Sequence, residues 1–490
     1  MKRIQGLAAS LVVALAMLSN TGCQTYNQQN KGTPLWKNGK VTEAAAEFTK
    51  KAEKKKDNKD TVIWRLEQGT ALRAAGKLQE SLDAFEKAED KMTSYEEKAK
   101  TRIGNEAGAM LSNQANLPYE GRDYDKVILS TYKALDYLQL GEFEKARPEL
   151  LHAYERQQDA VENNKKRIEK EEMEIKKAGE DQKNAKAKSS TDQARQDPKF
   201  QAALDSNYAE LDGLEAYVDY VNPFTVYLDG VYFFNFSTDG SDLEHARKSF
   251  ERVLELSGEN KFVEADLESV EKALRGEAVP PTTYVIFETG CAPWRGQIRI
   301  DIPLFFIGQG NVPYAGAAFP RLKMDTNYVS GLTVTVDGTD ETTVTIASMD
   351  SVVGQSFKNE LPTIITKTLL STTIKAAISY GINKGVSDQN EIAGIISKIV
   401  TGVGQAAMNI ADTRTWTTLP KEFQVCRFPT PTNQLITLTV PGGKQKSQVN
   451  IEPNTPNLIY VKAINQNCPL IVNEVQLKTR PRSVTQAKTQ

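Results

Sequence analysis

The sequence is poor in the residues that do most protein chemistry. Its 490 residues hold two histidines, His152 and His245, and four cysteines, Cys23, Cys291, Cys426 and Cys468. None of the cysteines forms a Cys-X-X-Cys pair, so the spacing of a tetrahedral zinc site is missing. No metal or other cofactor is expected. A cysteine nucleophile needs a neighbouring base, and Cys291, in Glu288-Thr289-Gly290-Cys291-Ala292-Pro293-Trp294, has no histidine in its half of the chain. An excess of charge of one sign is also missing. The 61 basic residues are offset by 63 acidic ones, which argues against a nucleic-acid partner, since binding phosphates calls for a basic face. Long apolar runs are missing beyond the first residues. The Ile-, Thr-, Ala- and Gly-rich stretches 355–382 and 390–412 are interrupted by Lys367, Lys375 and Lys398, so neither reads as a transmembrane helix.

What is present begins at the N-terminus. Lys2 and Arg3 precede an apolar run from Gly6 to Leu18, the pattern of a removable export signal. Ser19, Asn20, Thr21, Gly22 and Cys23 follow, and this string resembles the lipobox of bacterial lipoproteins, with Asn20 standing where that pattern usually has leucine. The resemblance implies a signal peptide over 1–22, acylation of Cys23 and a lipidated polar tether over 23–35. The alternative is cleavage near Ser19 to Thr21 and a free periplasmic protein. By the sorting rule of that family, Gln24 after the cysteine implies the periplasmic face of the outer membrane. With Cys23 acylated, Cys291, Cys426 and Cys468 remain for one disulfide in an oxidising compartment, its pairing open.

From 36 to 275 apolar residues recur at helical spacing with glycines between paired runs. Trp64, Gly69, Leu72, Gly76, Leu78, Phe85 and Ala88 form one such unit, and Ala134, Tyr137, Gly141, Phe143, Leu150 and Ala153 form another. Gly39, Ala44 and Phe48 read as the back half of an earlier unit. Val226 to Phe234 with Leu243, Ala246, Phe250 and Val253 read as a later one, and Lys91 to Asp125, with Tyr95, Ala99, Gly104 and Ala107, as a degenerate one. The pattern resembles the tetratricopeptide repeat. Such arrays present a concave surface to peptides, and the resemblance implies a groove for a protein partner, with Tyr132, Tyr137, Tyr220 and Tyr227 on it. Aromatic residues of this stretch also serve as repeat core. The charged segment 155–199 reads as a projecting helical hairpin or loose insertion.

Composition turns strand-like after Pro280 and Pro281, with runs at 284–287, 298–305, 332–336, 343–346, 423–428, 435–440, 449–451 and 458–464 around the two helical stretches. The expected architecture is multidomain, with two or three cores: an N-terminal all-α tetratricopeptide-like helical repeat array, then over 276–478 an α+β domain of mostly antiparallel strands with a helical hairpin. Residues 479–490 read as a disordered basic tail; Lys478, Arg480, Arg482 and Lys488 offer a contact to anionic cell-wall polymer. Ser130-Thr131-Tyr132-Lys133 matches a Ser-X-X-Lys tetrad by spacing alone. Asp412, Arg414 and Trp416 read as a helix stop with a local ion pair.

The strings Tyr-Val-Ile-Phe-Glu-Thr-Gly at 284–290, Arg-Ile-Asp-Ile-Pro-Leu-Phe at 299–305, Pro-Tyr-Ala-Gly-Ala at 313–317 and Ala-Asp-Thr-Arg-Thr-Trp at 411–416 resemble a group of uncharacterised Gram-negative lipoproteins. That group joins tetratricopeptide-like helices to an α+β domain and brings no assigned activity. The expected function is a non-enzymatic, membrane-anchored scaffold that binds a protein in cell-envelope or cell-wall assembly. Two alternatives stand beside it: a cell-wall or glycan enzyme using carboxylates such as Glu288 and Asp301, and a pore or secretion component.

Overall fold

The computed structural model describes residues 26, 30–55, 57–101, 114–180, 184–214, 217, 221–305, 312, 314–379, 410–443 and 445–477. Cys23, Tyr220, the basic tail, and 380–409 of the two helical stretches lie outside them. Among the described residues no helix is long and apolar enough to cross a membrane.

Helices fill the first half: α1 (Gly32–Lys37), α2 (Val41–Lys54), α3 (Thr61–Ala74), α4 (Leu78–Thr101), α5 (Asp123–Gln139), α6 (Phe143–Glu180), α7 (Ala185–Gln196), α8 (Pro198–Tyr208), α9 (Pro223–Asn235), α10 (Gly240–Ser257) and α11 (Lys261–Leu274). Glycine sets the turns between the two helices of a pair. After α3, Gly76 at φ +77° donates its N–H to Arg73 O while Lys77 N–H reaches Leu72 O, closing a Schellman motif. The same two bonds recur at Gly39, Gly141 and Gly276. Within a pair, a small residue on the first helix admits a large one from the second. A Cβ on Gly69 would meet Phe85 at 2.4 Å, one on Gly32 would meet Phe48 at 2.5 Å, and one on Gly230 would meet Phe250 at 2.8 Å.

The expected unit over 91–125 differs. Tyr95 lies on α4, which runs on unbroken to Thr101, while Gly104 and Ala107 fall outside the described residues. No glycine or proline stops α4 between Leu78 and Thr101, so one long helix is cheaper than a new turn.

The second half contains β1 (Thr282–Thr289), β2 (Trp294–Pro303), β3 (Tyr314–Lys323), β4 (Thr333–Val336), β5 (Thr339–Thr342), β6 (Val344–Ser348), α12 (Met349–Ser379), β7 (Glu422–Pro429), β8 (Leu435–Thr439), β9 (Lys446–Asn450), β10 (Asn457–Ala463) and β11 (Ile471–Gln476). One sheet has the order β11-β10-β1-β7-β6, with β1 and β10 parallel and the other pairs antiparallel. A second runs β5-β4-β8-β9, and β2 and β3 form a separate two-stranded ribbon. Strands β1 and β10 are buried along their whole length.

The order, helices then sheets with a long helix, is the expected one. The cores are not separate: one apolar cluster runs from Trp36 and Trp64 through Tyr132 and Tyr227 into Phe287, Trp416 and Val461. The helical array needs a cover for its apolar face, and the sheet supplies it. Of the two forms expected for 155–199, the structure shows the helical one, packed against the second half rather than projecting from it. Its helices extend α6 to 38 residues, about 57 Å at 1.5 Å per residue, and pack on α12. Ala187, Leu370, Ile374 and Ala377 make a second small core there, with Ile175 and Ala178 against it.

Candidate functional site

The residues expected to face a partner are sealed by the chain itself. Tyr132 on α5 is fully buried, its hydroxyl donating to Glu288 Oε2 at 3.2 Å and its ring meeting Trp416 edge-on at 5.9 Å. Tyr227 on α9 is also fully buried and donates to Asp266 Oδ2 at 2.9 Å. Neither lines an open groove: Tyr132 is covered by Glu288 on β1 and by Trp416, and Tyr227 by Phe250 on α10 and Asp266 on α11. Tyr137 alone of the described three is partly exposed, beside Lys145.

What lies under the cover is a charged seam. Arg73 Nε donates to Asp136 Oδ1 at 2.8 Å and its Nη1 to the Tyr460 hydroxyl at 2.6 Å, while Lys462 Nζ donates to Glu288 Oε2 at 2.6 Å. Nearby, Glu67 accepts from Thr417 N–H and hydroxyl, both at 2.7 Å, and from Thr418 N–H at 3.1 Å. Arg414 forms the expected pair with Asp412, at 2.8 Å through Nε and again through Nη2, and then reaches Asp60 and Leu117 O in the helical half. The string at 411–418 is therefore a seam between halves; the helix expected to end there lies outside the described residues.

Enzyme-like constellations dissolve on the same geometry. Glu288 is fully buried and paired, whereas Asp301 stands in solvent beside Arg299 at 2.8 Å, so the two carboxylates do not share a cleft. Lys133 is held by Glu89 and Glu149, each at 2.7 Å, while Ser130 accepts from Arg156, so the Ser-X-X-Lys tetrad is not coupled. The three thiols Cys291, Cys426 and Cys468 are buried and free; the expected disulfide is not made. Burial pushes Cys291 and Cys426 up to about 12, which keeps them as unreactive thiols.

An open cleft lies on the helical half. It encloses about 570 Å³ between α6, the start of α9 and α10, with Tyr154, Val161 and Val226 supplying apolar surface and His245, Lys248 and Ser249 polar groups. Leu151, Tyr154 and Val161 are 36%, 42% and 40% exposed, and their spacing of three and seven places them on one stripe of α6. His245 Nε2 and Ser249 Oγ both contact Asp229 Oδ2 at 2.7 Å, and Asp229 Oδ1 is buried with no hydrogen-bond partner. The hydrogen bond to Asp229 raises the His245 pKa against the opposing effect of burial, favouring the charged ring. Serine and histidine meet the carboxylate rather than each other, which leaves no nucleophile–base pair. The sequence carried a signal for the stripe beside this cleft: Leu151, Tyr154 and Val161 at helical spacing in a largely charged helix. His245 on its own did not.

No protein-family model, no curated protein and no solved structure matches the chain.

Proposed function

We propose that the chain is an exported lipoprotein, acylated at Cys23 and held at the periplasmic face of the outer membrane, whose helical half holds a protein partner during cell-envelope or cell-wall assembly. Its helical half is read as a tetratricopeptide-like array. The recurring Schellman glycines and the small-residue contacts Gly32/Phe48, Gly69/Phe85 and Gly230/Phe250 support that reading. Ala134 and Leu150 fall at the same separation as Gly69 and Phe85.

The observation that carries the binding function is the exposed stripe of Leu151, Tyr154 and Val161 beside an open cleft of about 570 Å³. Large side chains grouped on one stripe at a concave surface are characteristic of protein contacts. The partner site thus moves from the covered tyrosines to the α6/α10 cleft. A photo-crosslinking residue placed at Tyr154 or at Val161 in cells should yield the same adduct, and one at Leu435, equally exposed on β8, should not. If the two cleft positions give no adduct in common, the scaffold reading of this cleft is wrong. The anchor has its own test: Cys23→Ser should move the protein from the membrane fraction to the soluble periplasmic fraction.

A further inference from the structure

Tyr26 and Asn30, within the expected tether, are packed against the helices. Tyr26 is only 5% exposed, its ring lies 4.6 Å from that of Trp64, and its hydroxyl donates to Glu67 Oε1 at 2.9 Å. Asn30 Nδ2 donates to the same hydroxyl at 3.1 Å, and Asn30 Oδ1 accepts Thr33 N–H at 3.0 Å where α1 begins. Two residues, Gln24 and Thr25, separate Cys23 from this clamp, so the three Cα-to-Cα steps reach about 11 Å at full extension. An acyl chain on Cys23 therefore holds a defined part of the surface at the bilayer.

That part is the end of the bundle where α2 meets α3. Trp64 lies within the first turn of α3, and Thr61 Oγ1 donates to Lys55 O at 2.6 Å, which brings the end of α2 alongside. Lys50 and Lys54 are exposed there and Lys51 and Lys55 partly so. None of the four makes an ion pair among the described residues; of the nearby acids, Glu53 pairs with Arg65 and Asp57 with Lys91. The helix dipole favours cations in this last turn, but four lysines in six residues exceed what one helix end uses. Exposed lysines attract the phosphates of anionic headgroups over about one Debye length, roughly 8 to 10 Å.

We infer that the Lys50–Lys55 end of the helical half is a docking surface for an anionic phospholipid bilayer, and that Tyr26 is the clamp that turns this surface toward the membrane. The inference rests on the anchor proposed above for its orientation, though not for its charge.

The first arm of the test needs no acyl chain. The full mature chain carrying Cys23→Ser is mixed with phosphatidylcholine vesicles, with or without about 30 mole per cent phosphatidylglycerol. Binding should require phosphatidylglycerol, fall with added salt, and drop about tenfold in Lys50→Glu/Lys54→Glu, whereas Lys446→Glu, on the exposed face of β9, should leave it unchanged. Binding indifferent to phosphatidylglycerol, or equally weakened by Lys446→Glu, overturns the surface.

The second arm uses the acylated protein on the same vesicles. Amide exchange over 48–59 should slow on anchoring, and Tyr26→Ala should remove that slowing while the protein stays bound. Unchanged slowing in Tyr26→Ala overturns the clamp. If the first mature peptide carries no lipid by mass, the anchor has failed instead, and the first arm alone decides the basic surface.

Discussion

At the scale of single residues, two buried carboxylates are driven in opposite directions, and the difference is which force wins. Asp266 on α11 is fully buried and desolvation pushes it up to about 7, although Arg427 Nε lies 3.2 Å from Oδ1, a contact that is not a hydrogen bond. Glu360 on α12 is desolvated as well, but Arg295, Arg167 and Arg122 around it outweigh that cost and hold it at about 2. The consequences for stability have opposite signs. Unfolded, Asp266 gives up its proton near pH 4, while folded it keeps it to about 7, so this group subtracts stability as pH rises through that window. Glu360 adds stability above its unfolded value near 4.5 and loses that contribution as pH falls toward 2. Asp266→Asn cannot ionise. Relative to the native chain, its unfolding free energy should rise by about 2 to 4 kcal/mol between about pH 5 and pH 8. Denaturant melts at the two pH values check this, and a parallel pH dependence in both proteins would show that Asp266 is ionised in the fold.

At the scale of elements, the helix pairs are held by contacts that admit no Cβ. Gly69 sits where a Cβ would lie 2.4 Å from Phe85, itself fully buried beside Trp416. Gly69→Val adds three carbons to that space, and should cost about 3 kcal/mol or more, near the top of the range for overpacking. Gly76→Ala touches nothing, and should cost only about 1 kcal/mol for the left-handed conformation its Schellman turn requires. Thermal melts should therefore rank the two variants in that order, and a reversed order would mean that turn geometry outweighs packing.

These pairs were legible in advance because glycine and aromatic residues recur at fixed offsets, and so were β1, β7, β8 and β10, with their runs of Val, Ile, Phe and Tyr. Strand β3 was not: Tyr-Ala-Gly-Ala-Ala-Phe-Pro holds small residues and a proline, and its ten-residue pairing with β2 makes it a strand. Nor was the length of α4, since a long helix and a degenerate repeat present the same periodicity.

At the scale of the whole molecule, the fact least visible in the sequence is that the sheet covers the helices. Periodicity marks Tyr132 and Tyr227 as residues on a helix face, but it carries no information about what lies against that face. The covering is carried by Trp416, which is fully buried between Phe85 and Tyr132 and donates its indole N–H to Thr70 Oγ1 at 2.9 Å. Around it the polar seam is specific. Arg414 joins Asp60, Glu67 receives Thr417 and Thr418, and Arg73 spans Asp136 and Tyr460. Buried pairs of this kind add little net stability over apolar packing, but removing one partner strands the other at a cost of about 3 to 5 kcal/mol.

Neither half can leave the other without exposing both the aromatic cluster and these charges, so the two should unfold together. Far-ultraviolet dichroism, dominated by the helices, and proteolysis of the sheet region should report one coincident transition. Trp416→Ala removes the largest side chain of the joint, and should lower that transition by about 3 to 5 kcal/mol while keeping it single. Two separated transitions in the native chain, or a Trp416→Ala effect confined to one half, would mean that the covering sheet is an independent domain. In that case the tyrosine-lined face of the helices could open to a partner after all.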